Sequence, residues 1–263
     1  MLEAADVRFA YRRAPGSARR TDALVIDGVT LAVTSGDVVG LLGPNGSGKT
    51  TLLGLMAGAL RPLSGHVRLD GADIGTMSRR AVARRLAVVP QETTLAFDYS
   101  ALEIVLMGRY PHLGPFEIEG PRDLEAARAA LDTTGTAALA DRPFRTLSGG
   151  EKQRVVIASA LAQLDGAPGD APALLILDEP TASLDLRYQL EVAALIARLH
   201  ETRGITILLS THDLRLAAAV CTTVVLLSRG RVLGEGPPGT SLTPGAVAEL
   251  FAVTPAEAAP FCP

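Results

Sequence analysis

The 263-residue sequence lacks the features that mark secreted and membrane-spanning proteins. It has only two cysteines, Cys221 and Cys262, whose spacing indicates neither a disulfide framework nor a metal site, and this fits a reducing compartment. The first residues, MLEAADVRFAYRR, contain no apolar run typical of a signal peptide. No apolar run reaches the roughly 18 residues that cross a bilayer. We therefore expect a cytosolic chain that would need another subunit for any work at a membrane.

An excess of charge of one sign is also absent. The formal net charge is −3, and lysines and arginines are spread along the sequence, so no basic face for nucleic acid is predicted. The exception is SRRAVARR at 78–85, which we interpret as the solvated side of a helix. Apolar residues make up 48% of the chain, enough to bury the core of one large domain or of a domain with a subdomain.

Strand and helix patterns alternate along most of the chain. Residues 22–43 and 64–71 contain short apolar runs broken by turn residues, which predicts an N-terminal antiparallel β subdomain. The later elements are predicted as strands at 84–91, 173–178 and 205–211, helices at 150–164 and 187–204, and a hairpin at 224–236. This alternation predicts an α/β fold in which helices cover a mixed sheet.

Three segments depart from this alternation. Residues 92–146 are rich in Ala, Leu and Glu at helical spacing, which predicts an α-helical subdomain inserted into a domain that spans 1–236. Residues 237–263 are punctuated by Pro and Gly and predict a tail with one short helix at 244–251. The stretch LDGAPGDAP at 164–172 predicts a surface loop that tolerates insertion.

The motif GPNGSGKT, at 43–50, lies between the strand pattern VVGLLG and the helix pattern TTLLGLMAGAL. Its glycines let successive backbone amides face one phosphate, and the helix N-terminus adds its dipole. Lys49 is placed for the β- and γ-phosphates of a nucleotide, and the Thr50 hydroxyl for Mg²⁺. A chance glycine-rich turn is the alternative, which the flanking strand and helix disfavour. The predicted nucleotide-binding residues are Gly43, Pro44, Asn45, Gly46, Ser47, Gly48, Lys49, Thr50 and Thr51.

Polar residues also follow three other strand patterns. LLILDEP ends in Asp178 and Glu179, at the edge of a sheet where ligands bind in such folds. Asp178 would hold Mg²⁺, and Glu179 would accept a proton from an attacking water. His212 in STHD could reach a γ-phosphate, and Gln91 after LAVVP could ligate Mg²⁺ or orient the water. An acidic turn and a structural histidine are the alternatives, but beside a P-loop we predict catalytic roles.

In their order along the chain, these motifs resemble those of the ATP-binding subunits of ABC transporters. The resemblance runs from about residue 5 to about residue 235 and includes six motifs. They are the P-loop, the Q-loop at Gln91, the signature LSGGE, the Walker B strand LLILDEP, the D-loop SLD at 183–185 and the H-loop at His212. The signature is specific to that family, whereas a P-loop alone would leave kinases and GTPases open. The resemblance implies ATP and Mg²⁺ as cofactors and ATP hydrolysis as the activity.

The resemblance also implies a head-to-tail homodimer, in which the signature of one subunit faces the ATP held by the P-loop of the other. Ser148 would supply a hydroxyl, Gly149 and Gly150 would supply amides at a helix start, and Asp185 would link the two sites. A serine is an ordinary N-cap, but this alternative does not explain the two glycines that follow it. Tyr11 resembles the aromatic residue that stacks on adenine, with an ordinary half-exposed strand residue as the alternative.

The segment VLMGRYPHLG, at 105–114, is similar to the helical subdomain of cassettes that power import of iron–siderophores, heme and cobalamin. In that group this region receives the permease, so Met107, Arg109, Tyr110 and His112 are predicted permease contacts or supports. The alternative is that RYPH caps a helix and fills the subdomain core. The resemblance implies an integral membrane permease, an external substrate-binding protein and a peripheral position on the cytoplasmic face of the inner or plasma membrane. It does not separate the three cargoes.

Two other functions fit parts of the sequence. A non-transport ABC ATPase, acting as a soluble ATP-dependent switch, would have soluble partners, and the net charge and the 105–114 segment disfavour it. A P-loop kinase is disfavoured by the signature and the D-loop. We therefore predict that ATP closes the dimer and moves the permease, and that hydrolysis resets it.

Overall fold

The structure of the protein is a computed structural model that describes residues 1–11, 23–93, 97–166 and 173–262. These residues divide into two compact units. The first comprises Met1–Met77 and Leu208–Pro263, and the second comprises Ser78–Ile207. The predicted surface loop at 164–172 lies outside the described residues from position 167 onward. Within the described ranges, no helix combines the length and apolar character that a membrane span requires.

The first unit begins with an antiparallel sheet, as predicted. The elements in this part are β1 (Leu2–Phe9), β2 (Ile26–Val33), β3 (Val38–Leu42), α1 (Lys49–Met56), β4 (Ser64–Leu69) and β5 (Ala72–Asp73). Four of the strands form one sheet in the order β2–β1–β4–β5. In β1, Leu2, Ala4, Val7 and Phe9 are all buried, because a bulge with Asp6 at φ +45° shifts the alternation between Ala4 and Val7.

The second unit contains the whole of the predicted helical insertion. Its elements are α2 (Arg79–Ala83), β6 (Leu86–Val89), α3 (Ala101–Met107), α4 (Pro121–Thr133), α5 (Gly149–Leu164), β7 (Leu174–Asp178) and α6 (Leu186–Arg203). The last two helices confirm the predictions at 150–164 and 187–204. The buried residues Val155, Ala158 and Ala162 of α5 recur at the three- and four-residue spacing of an amphipathic helix. The strands β6 and β7 pair in parallel.

The chain returns to the first unit within a strand. The last regular elements before the tail are β8 (Thr206–Thr211), α7 (Leu214–Val220), β9 (Thr223–Ser228) and β10 (Arg231–Gly236). In the first unit β3 pairs in parallel with β9, and β9 pairs antiparallel with β10, so the predicted mixed sheet is confirmed. The hairpin turns at Arg229 and Gly230, which both have positive φ, as tight two-residue hairpins require.

The tail is more helical than the sequence predicted. The helix expected at 244–251 is present, but it lies between two one-turn helices. The three are α8 (Pro238–Ser241), α9 (Pro244–Phe251) and α10 (Pro255–Ala258). Each begins with a proline at its first position, which fixes φ for a helix, but four residues are too few to show a period. Leu242, Val247 and Leu250 are buried in one cluster with Leu42 and Leu226, so the tail belongs to the core of the first unit.

The basic cluster at 78–85 is not simply a solvated helix face, as the sequence suggested. Arg80 and Arg84, one turn apart on and after α2, both donate through Nε to the Pro111 carbonyl, at 2.7 Å and 2.8 Å. Their other nitrogens reach the carbonyls of Leu113 and His112. The two arginines therefore anchor the chain that follows α3.

Candidate nucleotide site

The P-loop at 43–50 leaves β3 and enters α1 with a backbone that requires glycine at two positions. A Cβ atom on Gly43 would lie 2.2 Å from the Leu227 carbonyl oxygen. Gly48 has φ +106°, a conformation that residues with side chains rarely adopt. Gly48 is also the N-cap residue of α1, and no side chain caps this helix start. The first amides of α1 are thus arranged as in an anion-binding helix N-terminus.

Two polar side chains of the P-loop are buried. Ser47 is 3% exposed, and its Oγ has no hydrogen-bond partner within the described part of the chain. The Lys49 Nζ donates to the carbonyls of Gly43, at 2.8 Å, and Pro44, at 3.3 Å. A buried hydroxyl without a partner is unfavourable, and this one lies in the loop that leads to the uncapped start of α1. The loop therefore fits a nucleotide phosphate.

Tyr11 lies beside the start of α1. Its hydroxyl is 3.1 Å from Thr51 Oγ1, and its ring packs edge-on against Phe9, with centroids 4.9 Å apart. The side chain remains half-exposed. This position, next to a predicted phosphate-binding residue, is consistent with a platform for adenine, while the neighbouring run 12–21 lies outside the described residues.

His212 directly follows β8 and is exposed. Hydrogen bonds fix the chain just after it. Thr211 Oγ1 accepts from the Asp213 N–H at 3.0 Å, and the Asp213 carboxylate accepts from the N–H groups of Arg215 and Leu216 at the start of α7. His212 thus lies at a strand end, where the sequence predicted it, between residues whose hydrogen bonds fix the backbone after it.

The second unit carries the predicted acidic pair. Asp178 is buried at the end of β7, and Glu179 follows it with φ +45°. A non-glycine residue in the left-handed region is strained, and such strain clusters at functional sites. Gln91 is exposed two residues beyond β6, which is the parallel neighbour of β7. The carboxyl ends of parallel strands share one edge, so Gln91 and Asp178 lie at the same edge of this strand pair.

The signature begins α5 with a reciprocal pair of hydrogen bonds. The Ser148 side chain accepts from the Glu151 N–H at 3.3 Å, and the Glu151 carboxylate accepts from the Ser148 N–H at 2.8 Å. The bond from the Ser148 N–H lowers the pKa of Glu151. The serine is therefore an N-cap, as the structural alternative expected, and this does not conflict with a second role.

The two glycines after Ser148 have different surroundings. Gly149 is exposed, and a Cβ there would meet only the end of the Leu184 side chain, at 3.3 Å. Gly150 is buried, and a Cβ there would lie 2.2 Å from the Tyr188 ring of α6. Packing within the unit accounts for Gly150. Packing does not explain Gly149, which is exposed, so a requirement for an accessible backbone amide remains a prediction for this glycine alone.

Comparisons with known proteins settle the family. A family model for ABC transporters matches residues 26–182. This chain belongs to the ABC transporter family. ATP hydrolysis is the activity of that family, so this ABC transporter chain is an ATPase.

Relatives of this ABC transporter chain include both curated proteins and solved structures. The hemin import ATP-binding protein HmuV of Gloeobacter violaceus is 46% identical over 220 residues, which are 84% of this chain and 79% of the relative. An inward-facing ABC transporter described as of metal-chelate type has a TM-score of 0.79 at 31% identity, over 95% of this chain and 88% of the other. A dimer of the cassette MJ0796 bound to ADP and Pi has a TM-score of 0.75 at 26% identity, over 90% of this chain and 98% of that one.

The four residues predicted to meet a permease differ in accessibility. Tyr110 is 56% exposed and Met107 is half-buried. Arg109 is only 7% exposed, and its guanidinium is bonded inside the second unit. His112 is half-buried, with Nε2 2.7 Å from the Gln163 carbonyl oxygen. Arg109 and His112 are therefore placed as supports rather than as contact surface.

Two exposed apolar residues near this segment were not predicted from the sequence. Phe116 and Ile118, in the loop between His112 and α4, are almost fully exposed. The stretch PFEIEG carried a signal, since two large apolar side chains stand in a loop that is otherwise polar and glycine-bounded.

Proposed function

We propose that this ATPase powers the import of a metal chelate through a separate membrane permease, and that hemin is the cargo to test first. The observation that carries the cargo class is the 46% identity to a hemin import ATP-binding protein over 84% of this chain. Ferric siderophores and cobalamin belong to the same chemical class and are the competing cargoes.

Within the first unit, the P-loop would bind the phosphates of ATP, and Tyr11 would stack on adenine. Lys49 would place its charge beside the β- and γ-phosphates. Thr50, Gln91 and Asp178 would hold Mg²⁺, which offsets phosphate charge when it is bound. The support is the uncapped start of α1 and the buried Ser47 hydroxyl, which has no hydrogen-bond partner among the residues that the structure describes.

Glu179 would accept a proton from the water that attacks the γ-phosphate, and His212 would bind that phosphate. The left-handed backbone of Glu179 supports this role together with its position directly after β7, beside the buried Asp178. Glu179→Gln should lower the rate of ATP hydrolysis by at least about 100-fold, while ATP still binds. Hydrolysis close to the wild-type rate in this variant would remove Glu179 from the mechanism.

A second copy of the chain would complete each site through Ser148, Gly149 and Gly150 of the signature, of which Gly149 is the exposed glycine, and through Asp185. Asp185 is exposed and does not cap its own helix, although it is the N-cap residue of α6. One residue later the exposed side chains of Leu186 and Leu190 begin one face of that helix. An exposed carboxylate beside an apolar patch suits a subunit interface.

The permease would contact the second unit near Tyr110, with Met107 beside it and Arg109 and His112 beneath. Exposed Phe116 and Ile118 extend the accessible apolar surface. An external substrate-binding protein would deliver the chelate to the permease. The chain would lie on the cytoplasmic face of the inner or plasma membrane.

The test is to isolate this chain with its partners from native membranes, identify them, and reconstitute the complex in proteoliposomes. We expect an integral membrane partner and ATP-dependent uptake of hemin that Glu179→Gln abolishes. Uptake of cobalamin or a ferric siderophore in place of hemin would correct the cargo. Recovery of soluble partners alone, with ATP hydrolysis intact, would refute the import function in favour of a soluble switch.

A further inference from the structure

The chain between α3 and α4 is bonded to the far end of the signature helix α5. Arg109 donates through one nitrogen to the Ala162 carbonyl, at 2.6 Å, and to the Asp165 carbonyl, at 2.8 Å. His112 Nε2 bonds the intervening Gln163 carbonyl at 2.7 Å. These two side chains thus bind three carbonyls in and just after the last turn of α5.

Such contacts are favourable at this end of a helix. The last carbonyls of an α-helix have no partner within it, and the helix dipole places negative charge there, which a guanidinium complements. Arg109 also pairs with Asp123 in the first turn of α4, at 3.0 Å. Burial would raise the pKa of Asp123, but the Gly120 N–H and the Arg109 guanidinium outweigh this and lower it. One buried side chain therefore joins α4, α5 and the 108–113 segment.

Backbone packing brings the same elements together. A Cβ on Gly108 would lie 2.2 Å from the Ser159 carbonyl oxygen of α5. Glycine at this position therefore permits close contact between the backbone after α3 and the backbone of α5. Ser159 Oγ also donates to the Ile104 carbonyl of α3, at 3.0 Å. These contacts leave the 108–113 segment little freedom to move independently of α5.

The other end of α5 carries the signature. The helix has 16 residues, so its ends are about 24 Å apart. A packed helix of this length moves as a rigid body, because close-packed interiors do not deform continuously. Displacement of the 108–113 segment would thus displace the exposed Gly149 amide.

We propose that Arg109 and His112 are positioning residues that couple a permease bound near the 108–113 segment to the signature at the start of α5. This inference rests on the proposed import function. It differs from a purely structural role, in which the same bonds would only stabilise the second unit.

The experiment compares the ATPase in the reconstituted complex with the ATPase of the isolated chain. The variants are Arg109→Lys, which cannot keep all its bonds at once, and His112→Phe, which keeps a ring but loses its hydrogen bond. The control is Arg122→Lys on the exposed face of α4. We expect the ratio of permease-stimulated to isolated-chain hydrolysis to fall about tenfold in both variants, with KM for ATP within twofold of wild type and the control unchanged.

Two results would overturn this coupling role. One is a stimulation ratio in both variants equal to that of the wild type. The other is a proportional loss of hydrolysis in the isolated chain and the complex, which marks a structural role. If Arg109→Lys does not fold, the stimulation ratio of His112→Phe alone tests the coupling role, because this variant removes only one hydrogen bond at a half-buried position. Failure of the wild-type complex to import would instead refute the import function and, with it, this coupling role.

Discussion

The P-loop helix α1 and the signature helix α5 both have glycine at their starts, and the two starts are built differently. α1 follows Gly48, whose left-handed backbone allows the P-loop to curl, and no side chain caps it. α5 follows Ser148, which caps it together with Glu151. In the proposed function, the first start would offer its amides to a ligand held by the same chain. The second start is capped by its own residues, which suits the proposed surface that stays folded until another subunit brings a phosphate to it.

The glycines at these two helix starts are needed for different reasons. In the P-loop, a side chain at Gly43 would strike the backbone, so glycine there shapes the binding loop. In the signature, Gly150 makes room for Tyr188, and only Gly149 faces solvent. Similar sequence patterns therefore have different physical reasons. Gly43 allows the backbone to curve, Gly150 allows close packing, and Gly149 leaves the backbone exposed.

The largest expected effect is the loss of the P-loop conformation. Gly43→Ala places a Cβ 2.2 Å from the Leu227 carbonyl oxygen, so the loop must move. Because a displacement of about 1 Å can cost about 100-fold in a preorganised site, we expect the Kd for ATP to rise about 100-fold. Isothermal titration calorimetry measures it. Gly234→Ala, in β10 with no atom close to its Cβ, is the control, and equal affinities in the two variants would contradict this role of Gly43.

The next largest effect is expected at Ser148, where one substitution separates helix capping from the proposed contact with a partner's phosphate. Ser148→Asp keeps an N-cap oxygen, so the melting temperature should stay within a few degrees of wild type. Its negative charge would repel a partner's γ-phosphate, so ATP hydrolysis should fall at least about tenfold. Ser148→Ala should instead lower the free energy of unfolding by about 1 kcal/mol. Hydrolysis at the wild-type rate in Ser148→Asp would leave Ser148 with capping as its sole role.

The sequence predicted most of the elements and the order of the motifs, because both depend on local patterns. The period of apolar residues gave the helices at 150–164 and 187–204, and the P-loop spacing gave the nucleotide-binding loop. The sequence could not show that Arg109 turns inward or that Tyr188 packs on Gly150, since both contacts depend on how distant helices meet. It also missed two one-turn helices of the tail, which are too short to show periodicity.

A smaller effect tests the packing reason for one signature glycine. Gly150→Ala should lower the free energy of unfolding by about 1–3 kcal/mol, the usual cost of overpacking, because its Cβ would overlap the Tyr188 ring. Gly149→Ala should cost less than about 1 kcal/mol, since Leu184 can move aside. Urea denaturation measures both. Gly150→Ala should lower the free energy of unfolding by less in a Tyr188→Ala background than in the wild type. Equal costs in the two backgrounds would contradict the contact.

The smallest expected effect on stability concerns the buried hydroxyl of Ser47 in the P-loop. Ser47 Oγ has no hydrogen-bond partner within the described residues, so its removal forfeits no bond in the folded chain. Ser47→Ala should therefore leave the free energy of unfolding unchanged or raise it by about 1 kcal/mol, in contrast to Ser148→Ala. If the hydroxyl binds a phosphate, the same variant should weaken ATP binding about 10- to 100-fold, because a hydrogen bond to a charged group is worth about 1.5–3 kcal/mol. Stability lost and affinity kept would mean that Ser47 supports the fold of the loop rather than the ligand.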